Sequence, residues 1–186
     1  VEDDPKCEVF MVTPDKDFAQ LVEKGIYMFK PAKGGNEPEV LDVDKIKEQW
    51  DIETPDQVID ILGLWGDASD NIPGVPGIGE KTAKKLISKY SSIENILENV
   101  NDLKGKQKEN LENFSDQALL SKKLVTIITD APVDLDWKDL KLSEINKDEL
   151  SKICIEFEFN AIGKRLLGDE FVAGRGFEIE SQDNDQ

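Results

Sequence analysis

Histidine is absent from this chain of 186 residues, and cysteine occurs only twice. The lack of histidine excludes histidine-based catalytic triads, zinc sites with histidine ligands and a histidine general base. Cys7 and Cys154 are too few and too far apart for a disulfide framework or a cysteine metal site, which favours a reducing, cytoplasmic setting. Any catalysis therefore depends on carboxylates, lysines or bound metal ions.

Long apolar runs are also missing. No stretch approaches the ~18 residues that a membrane-spanning helix needs, and the acidic beginning does not resemble a signal peptide. Hydrophobic residues make up 38% of the chain and charged residues 34%. This composition predicts one globular domain, or one domain with a small appendage, and no membrane association.

The net charge of −17 argues against nucleic-acid binding, because DNA-binding domains usually carry a basic surface. The charge is unevenly distributed, however. Residues 169–186 contain six acids and one arginine, whereas residues 79–91 contain four lysines and one glutamate. The chain is thus locally basic at one segment, and the overall charge does not decide the question.

The first third of the chain is predicted to contain a small sheet. Residues 8–12 form a short apolar run that fits a buried strand of an α/β sheet, and residues 18–22 fit one or two helical turns. Residues 26–30 and 39–41 are predicted as two strands of a hairpin, joined by the turn Gly34-Gly35-Asn36.

The remainder is predicted to be mainly helical. The expected helices cover residues 43–50, 54–65, 80–90, 92–100, 104–114, 115–129 and 147–167. The helix over 115–129 is expected to bury a stripe of Leu119, Leu120, Leu124, Ile127 and Ile128. Residues 133–142 are predicted to be extended, and the residues past 168 to form an acidic linker or tail outside the core.

A Gly/Pro-rich turn stands directly before the helix over 80–90. Glycine permits positive φ and close approach of a ligand, and the N-terminus of a helix favours phosphate. The helix has an apolar face and an opposite basic face; the basic one comprises Lys81, Lys84, Lys85 and Lys89. The pattern is typical of a helix–hairpin–helix motif that contacts the DNA backbone. It fits equally well a loop before an ordinary amphipathic helix with a solvated lysine face.

Two pairs of aspartates are candidate metal ligands. Asp67 and Asp70 lie in the loop after the helix over 54–65. Asp15 and Asp17 follow the first strand, and ligands gather at the carboxyl ends of strands in α/β sheets. Oxygen ligands suit Mg²⁺ or Mn²⁺. Taken singly, each pair is more typical of capping or turn-forming aspartates.

Three segments taken together carry a resemblance to a known family. They are TPDKDFAQLV at residues 13–22, GDASDNIPGVPGIGEKTAKKLI at 66–87 and LLSKKLVTI at 119–127. They resemble the 5′-nuclease domains of bacterial DNA polymerases I, within the superfamily of flap endonucleases and 5′→3′ exonucleases. The resemblance extends over about residues 8–167, and the second segment is highly specific.

The resemblance implies an α/β fold: the C-terminal part of a parallel-sheet, PIN-like 5′-nuclease domain, followed by a mainly helical helix–hairpin–helix subdomain. The expected boundaries are 1–53 for the partial nuclease core, 54–167 for the helical subdomain and 168–186 for the acidic linker. In this family the helix–hairpin–helix holds duplex DNA, and its loop carbonyls can hold K⁺.

The resemblance also implies the site residues. The residues matching metal-binding carboxylates, as ligands of the second of two Mg²⁺ or Mn²⁺ sites, are Asp15, Asp17, Asp67 and Asp70. The residues matching the DNA-contacting motif are Gly74, Gly77, Gly79, Lys81, Thr82, Lys84 and Lys85.

The implied function is two-metal hydrolysis of DNA phosphodiesters during replication and repair, in the bacterial cytoplasm at the nucleoid. The expected substrate is a duplex with a 5′ flap or nick, cut without sequence preference, in a parent protein whose polymerase domains follow. The family's remaining metal carboxylates have no counterpart here. The chain alone is therefore expected to bind DNA but to cleave weakly or not at all, and its first strand to have an exposed edge.

Two other functions stay open. One is a helix–hairpin–helix module that binds DNA without a catalytic role. The other is an acidic protein-interaction domain, which the lysine-rich helix makes the least favoured.

Overall fold

The computed structural model describes residues 7–134, 140–168 and 171–172. The chain divides into two compact units, residues 1–131 and 132–186, and each has its own hydrophobic core. Within the described residues, no helix combines the length and hydrophobicity needed to cross a bilayer.

The first unit begins with a three-stranded sheet in the order β1-β2-β3. Strand β1 (Val9–Val12) pairs in parallel with β2 (Ile26–Lys30), which pairs antiparallel with β3 (Glu39–Leu41). A 3₁₀ helix, Lys16–Leu21, lies in the β1–β2 connection. The predicted strands and hairpin are confirmed.

Strand β1 is not the buried strand that its apolar composition predicts. Among the described strands it pairs only with β2, and Phe10 and Val12 are 47% and 68% exposed. The ring of Phe10 stacks on Tyr27 with the centroids 5.1 Å apart. Among the described strands β1 thus lies at the edge of the sheet, as expected, with backbone groups on one side unpaired by any strand and with apolar side chains exposed.

Six α-helices follow in the first unit. Their bounds are α1 Val43–Trp50, α2 Gln57–Trp65, α3 Glu80–Tyr90, α4 Ile93–Glu98, α5 Gly105–Asn113 and α6 Ser115–Val125, with a 3₁₀ turn at Val100–Asp102. Helix α2 is central and almost entirely buried. It starts three residues later than predicted, because the segment 53–56 forms a turn closed by hydrogen bonds to Gln57.

The predicted buried stripe of α6 is wrong. Four of its five members are exposed, by 40% to 75%: Leu119, Leu120, Leu124 and Ile128. The buried face instead carries Ala118, Ser121 and Val125. The cause is a close approach to α2 at Gly63, where an added Cβ would lie 3.0 Å from Lys122 Cα. Only small residues fit this contact, so the leucines project away from it.

A partly buried ion pair joins α2 to α4 and α6. Asp60 Oδ1 accepts hydrogen bonds from Lys122 Nζ at 2.6 Å and from the Ile93 amide at 2.9 Å. Lys122 Nζ also lies 2.8 Å from Glu94 Oε2. Burial raises the pKa of the Asp60 carboxyl, against the effect of these hydrogen bonds. Because Asp60 is 6% exposed, removing Lys122 would leave an uncompensated buried charge.

In the second unit, the predicted helix over 147–167 is two helices. Helix α7 covers Lys147–Glu156 and α8 covers Asn160–Leu167. They are separated by Glu158, whose φ of 55° lies in the left-handed region and cannot continue a helix.

The residues past 168 are predicted to lie outside the core, but one of them is buried. Phe171 is 5% exposed and packs against Gly163, where an added Cβ would lie 2.5 Å from the ring. The rest of the predicted tail, except Gly168 and Val172, lies outside the described residues, as does the segment 135–139 of the predicted extended stretch.

The α2–α6 contact gives a stability prediction. Replacing glycine by alanine inside a helix normally stabilises it by about 1 kcal/mol. Because a Cβ at Gly63 would also lie 2.9 Å from Ile93 Cδ1, we expect Gly63→Ala to lower the free energy of unfolding by about 1–3 kcal/mol. Urea denaturation followed by circular dichroism measures the change. A gain in stability would contradict the close contact.

Candidate metal centre and nucleic-acid interface

The loop after α2 is held by a close backbone crossing. Gly66 ends α2 with φ of 80°, and Gly74 has φ of 59°. A Cβ on Gly74 would lie 2.5 Å from the Gly66 nitrogen, and one on Gly66 would lie 2.7 Å from the Ile72 oxygen. Both the positive φ and the lack of space require glycine. Asp67 and Ile72 exchange backbone hydrogen bonds of 2.9 and 2.8 Å, so the four residues between them form a closed loop.

The Asp67 carboxylate is buried at the start of this loop. Its Oδ1 accepts hydrogen bonds from the Ser69 amide at 2.8 Å and the Ser69 hydroxyl at 2.6 Å. Its Oδ2 accepts a hydrogen bond from Lys16 Nζ. The Lys16 hydrogen bond, followed by those of Ser69, lowers the pKa of Asp67 to about 2. Asp67 is therefore an anion at neutral pH.

The turn after β1 presents the second pair of aspartates. Asp15 caps the 3₁₀ helix, because its Oδ1 accepts a hydrogen bond from the Asp17 amide at 3.1 Å. Asp17 is half-buried, and its Oδ1 is fully buried without a hydrogen-bond partner among the described residues. Burial raises the pKa of the Asp17 carboxyl. A buried carboxylate oxygen without a donor is costly unless a cation compensates it.

Three of the four predicted ligands come together. One carboxylate oxygen from each of Asp17, Asp67 and Asp70 lies within 4.8 Å of the others. Asp15 is not in this group. In an octahedral Mg²⁺ site with ligands at about 2.1 Å, neighbouring oxygens are about 3 Å apart and opposite ones about 4 Å. Three carboxylates with one oxygen left without a hydrogen-bond partner are the donors that a hard divalent cation takes, and the separation of up to 4.8 Å would have to shorten to about 4 Å around a bound ion. A cleft of about 520 Å³, lined in part by Lys16 and Asp67, lies alongside.

Lys16 belongs to this centre, although the sequence reasoning did not include it. Its Nζ pairs with Asp67 Oδ2 and lies 3.7 Å from Asp17 Oδ1. The available signal was its position between Asp15 and Asp17. The sequence alone does not show that the Lys16 side chain turns toward Asp67, which is 51 residues away.

The predicted DNA-contacting glycines occupy different environments. Gly77, with φ of 77°, and Gly79, which precedes α3, are exposed. An added Cβ on Gly79 would meet no atom within 4 Å. Gly74 is buried instead: its amide donates to Ser121 Oγ at 3.1 Å, and its carbonyl accepts from Gln117 at 2.6 Å. Gly74 thus shapes the hairpin, whereas Gly77 and Gly79 leave backbone open to a ligand.

The lysines of α3 also differ in how exposed they are and in their partners. Lys81 and Lys85 are exposed, and Thr82 is half-buried. Lys84 is held by the protein: its Nζ lies 2.8 Å from Glu80 Oε1, 3.0 Å from the Gln49 oxygen and 5.4 Å from the ring centroid of Trp50. Lys81 and Lys85 are therefore the more available cations.

A groove of about 510 Å³ lies beside the N-terminal end of α3. Its lining includes Gly77 and Thr82 from the predicted motif and Lys106, Gln107 and Asn110 from α5. The side-chain amide of Asn110 donates a hydrogen bond to the Pro76 carbonyl oxygen at 2.6 Å. The sequence reasoning missed the α5 residues, for which the only signal was Lys106 in the first turn of a predicted helix.

Comparisons with known proteins found a matching family and similar chains. The family described as 5′-3′ exonuclease, C-terminal SAM fold, matches residues 53–148. DNA polymerase I of Bacillus subtilis (strain 168) is 41% identical over 174 residues, which are 93% of this chain and 20% of that protein. DNA polymerase I of Caldicellulosiruptor bescii is 40% identical over 168 residues, 89% of this chain and 20% of that protein. The chain thus spans about a fifth of the length of these curated relatives.

Solved structures share the fold. A 5′-exonuclease from T5 with bound zinc ions aligns with a TM-score of 0.55 and 24% identity, over 63% of this chain and 42% of that chain. The catalytic core of Rad2 in complex with a DNA substrate aligns with a TM-score of 0.51 and 15% identity, over 78% of this chain and 50% of that chain. The predicted fold class, part of a 5′-nuclease with a helical C-terminal region, is confirmed.

The lowered pKa of Asp67 gives a pH prediction. The folded value of about 2 lies below the ordinary value of 3.8, so ionised Asp67 stabilises the fold above about pH 4, and this stabilisation is lost as the pH falls toward 2. We expect the stability advantage of the wild type over Asp67→Asn to shrink by about 2 kcal/mol between pH 6 and pH 2. Urea denaturation at a series of pH values measures it. The same advantage at every pH would contradict the prediction.

Proposed function

The chain belongs to the 5′-3′ exonuclease, C-terminal SAM fold family, and from this membership we propose that it provides two parts of a metal-dependent 5′-nuclease. One part is a carboxylate site for divalent ions, and the other is a basic surface that holds the DNA backbone. The observation that carries the proposal is the convergence of Asp17, Asp67 and Asp70, with one buried oxygen left without a donor. The proposed reaction is hydrolysis of DNA phosphodiesters near a 5′ flap or nick.

Asp17, Asp67 and Asp70 are the proposed ligands. Their donor atoms are all carboxylate oxygens, which favours Mg²⁺ or Mn²⁺. When bound, such an ion stabilises negative charge on a phosphate and lowers the pKa of a coordinated water. Asp15 is the fourth predicted ligand, and in the structure its carboxylate fixes the Asp17 backbone.

The proposed DNA contacts come from the hairpin and α3. Gly77 and Gly79 leave the backbone accessible, and Lys81 and Lys85 present unburied charge to phosphates. Contacts of this kind fix position on the duplex without reading bases, which accounts for sequence-independent binding. Lys106 in the adjacent groove extends the basic surface. A K⁺ ion on the hairpin carbonyls belongs to the same proposal.

The setting of the whole protein is also proposed. The bacterial relatives are DNA polymerases I, which supports a role in replication and repair in the cytoplasm at the nucleoid, together with polymerase domains. Among the described residues three carboxylates converge, and we assign them to a single ion. We therefore expect weak cleavage by this chain alone.

A non-catalytic DNA-binding module is the second candidate function. It is favoured by one observation: Lys16 already pairs with the carboxylates of Asp17 and Asp67. In that case the cluster would be a structural ion pair, and the chain would bind DNA without binding divalent ions.

Metal titration separates the two candidates. We expect Mn²⁺ to bind the wild-type chain and the affinity to fall at least about tenfold in Asp67→Asn and in Asp17→Asn, because each loses a charged ligand. Isothermal titration calorimetry and Mn²⁺ electron paramagnetic resonance measure the affinity. DNA binding in EDTA serves as the control and should persist in both variants. Absence of Mn²⁺ binding to the wild type would favour the non-catalytic module.

The basic surface gives a separate prediction. In Lys81→Ala and Lys85→Ala we expect weaker binding to a nicked duplex, with the slope of log K against log [KCl] reduced in magnitude by about 1 per lysine. Fluorescence anisotropy in EDTA measures binding without cleavage. Lys89→Ala is the matched control. Lys89 lies on the last turn of the same helix, and its Nζ donates a hydrogen bond to the Tyr90 hydroxyl at 2.8 Å. An equal loss in all three variants would contradict a specific role for the first turns of α3.

A further inference from the structure

Lys16 places a positive charge inside the carboxylate cluster without any metal ion. We propose that Lys16 is a built-in counterion that occupies the divalent-ion position in the free protein and has to leave before an ion can bind, so that it sets the metal affinity of the centre. This inference rests on the proposed function, and it assigns to Lys16 the role of setting the metal affinity.

The two oxygens of Asp67 are already divided between two partners. Oδ1 accepts both the amide and the hydroxyl of Ser69, at 2.8 and 2.6 Å. These two bonds use both lone pairs of that oxygen. A metal ion therefore has to use Oδ2, which is the oxygen that Lys16 Nζ holds.

The same ammonium also faces the second ligand. Lys16 Nζ lies 3.7 Å from Asp17 Oδ1, the buried oxygen that lacks a hydrogen-bond partner. An ion bound to Asp67 Oδ2 at about 2.1 Å would stand where the ammonium now stands. The two cations would overlap or repel each other at close range, so the positions exclude one another.

Lys16 is able to leave while the carboxylates stay in place. Among the described residues, its Nζ contacts only Asp67 and Asp17, and its side chain is 34% exposed at the wall of the cleft. Asp67 and Asp17 are each fixed through the backbone, by the bridge to Ile72 and by the Asp15 cap. A rotamer change of one flexible side chain therefore opens the ion position.

Two effects follow from this exchange. Ion binding has to break the Lys16–Asp67 pair, and the displaced ammonium remains nearby and repels the ion. Both effects weaken metal binding, so removal of the ammonium should tighten it. In the absence of metal, Lys16 offsets the repulsion between three clustered carboxylates, so its removal should lower the stability of the metal-free protein.

The test compares Mn²⁺ binding to the whole chain in the wild type, Lys16→Met and Lys24→Met. Methionine keeps most of the length of the lysine stem and removes the charge. Lys24 is exposed in the turn before β2 and controls for the general loss of one positive charge. We expect Lys16→Met to bind Mn²⁺ at least about fivefold more tightly than the wild type, and Lys24→Met to stay within about twofold. The thermal midpoint of Lys16→Met should be lower without metal and rise more on adding Mn²⁺.

The outcomes distinguish this inference from the proposed function. If the wild type binds Mn²⁺ and Lys16→Met binds it equally or less tightly, Lys16 is an ordinary ion-pair partner, and the inference is overturned while the metal site stands. If neither protein binds Mn²⁺, both proposals fail. The double variant Lys16→Met/Asp67→Asn should lose the tightened binding, which locates the ion at this cluster. If Lys16→Met does not fold by circular dichroism, Lys16→Gln replaces it with the same expectations.

Discussion

The crossing of the backbone at Gly66 and Gly74 is the constraint on which both functional parts depend. It is tied to its surroundings on two sides, by the bond from the Val75 amide to the Leu64 carbonyl at 2.8 Å and by the bond from the Gly74 amide to Ser121. The residues enclosed by the crossing include Asp67 and Asp70 of the carboxylate cluster, and the residues that follow it form the hairpin and α3. A side chain at either glycine would displace Asp67 and Asp70 together with the hairpin and α3.

Two ion pairs in the first unit, each between a buried aspartate and a partly exposed lysine, illustrate how the surroundings of a charge decide its use. Asp60 and Lys122 join three helices, and the Ile93 amide donates a second hydrogen bond to the Asp60 carboxylate. That pair lies between helices and holds them together. Asp67 and Lys16 form a similar pair, but beside an open cleft and next to further carboxylates. The chemistry of the two pairs is the same, and among the described residues only the second belongs to a cluster of three carboxylates.

Local sequence patterns predicted most elements, and the errors have identifiable physical causes. The bounds of β2, β3 and α1 match the predicted ones, because short runs of strand-forming residues flank the turn glycines and a helical pattern follows them. The face of α6 could not be predicted, because its leucines satisfy helical periodicity, whereas the close contact with Gly63 selects the side with Ala118 and Ser121. For the site, the motif resemblance identified the aspartates. It could not show that Lys16 enters the cluster, since that contact joins segments 51 residues apart.

The outward leucines of α6 and the uncovered edge of β1 also bear on the colloidal behaviour of the chain. A net charge of −17 makes molecules repel one another over about a Debye length, roughly 8 Å at physiological ionic strength and 30 Å in dilute buffer. In dilute buffer this repulsion keeps apolar surfaces on different molecules apart. Concentrated sulfate or phosphate screens the repulsion and strengthens apolar association at the same time, so the solubility of the chain is coupled to its acidity through the ionic strength.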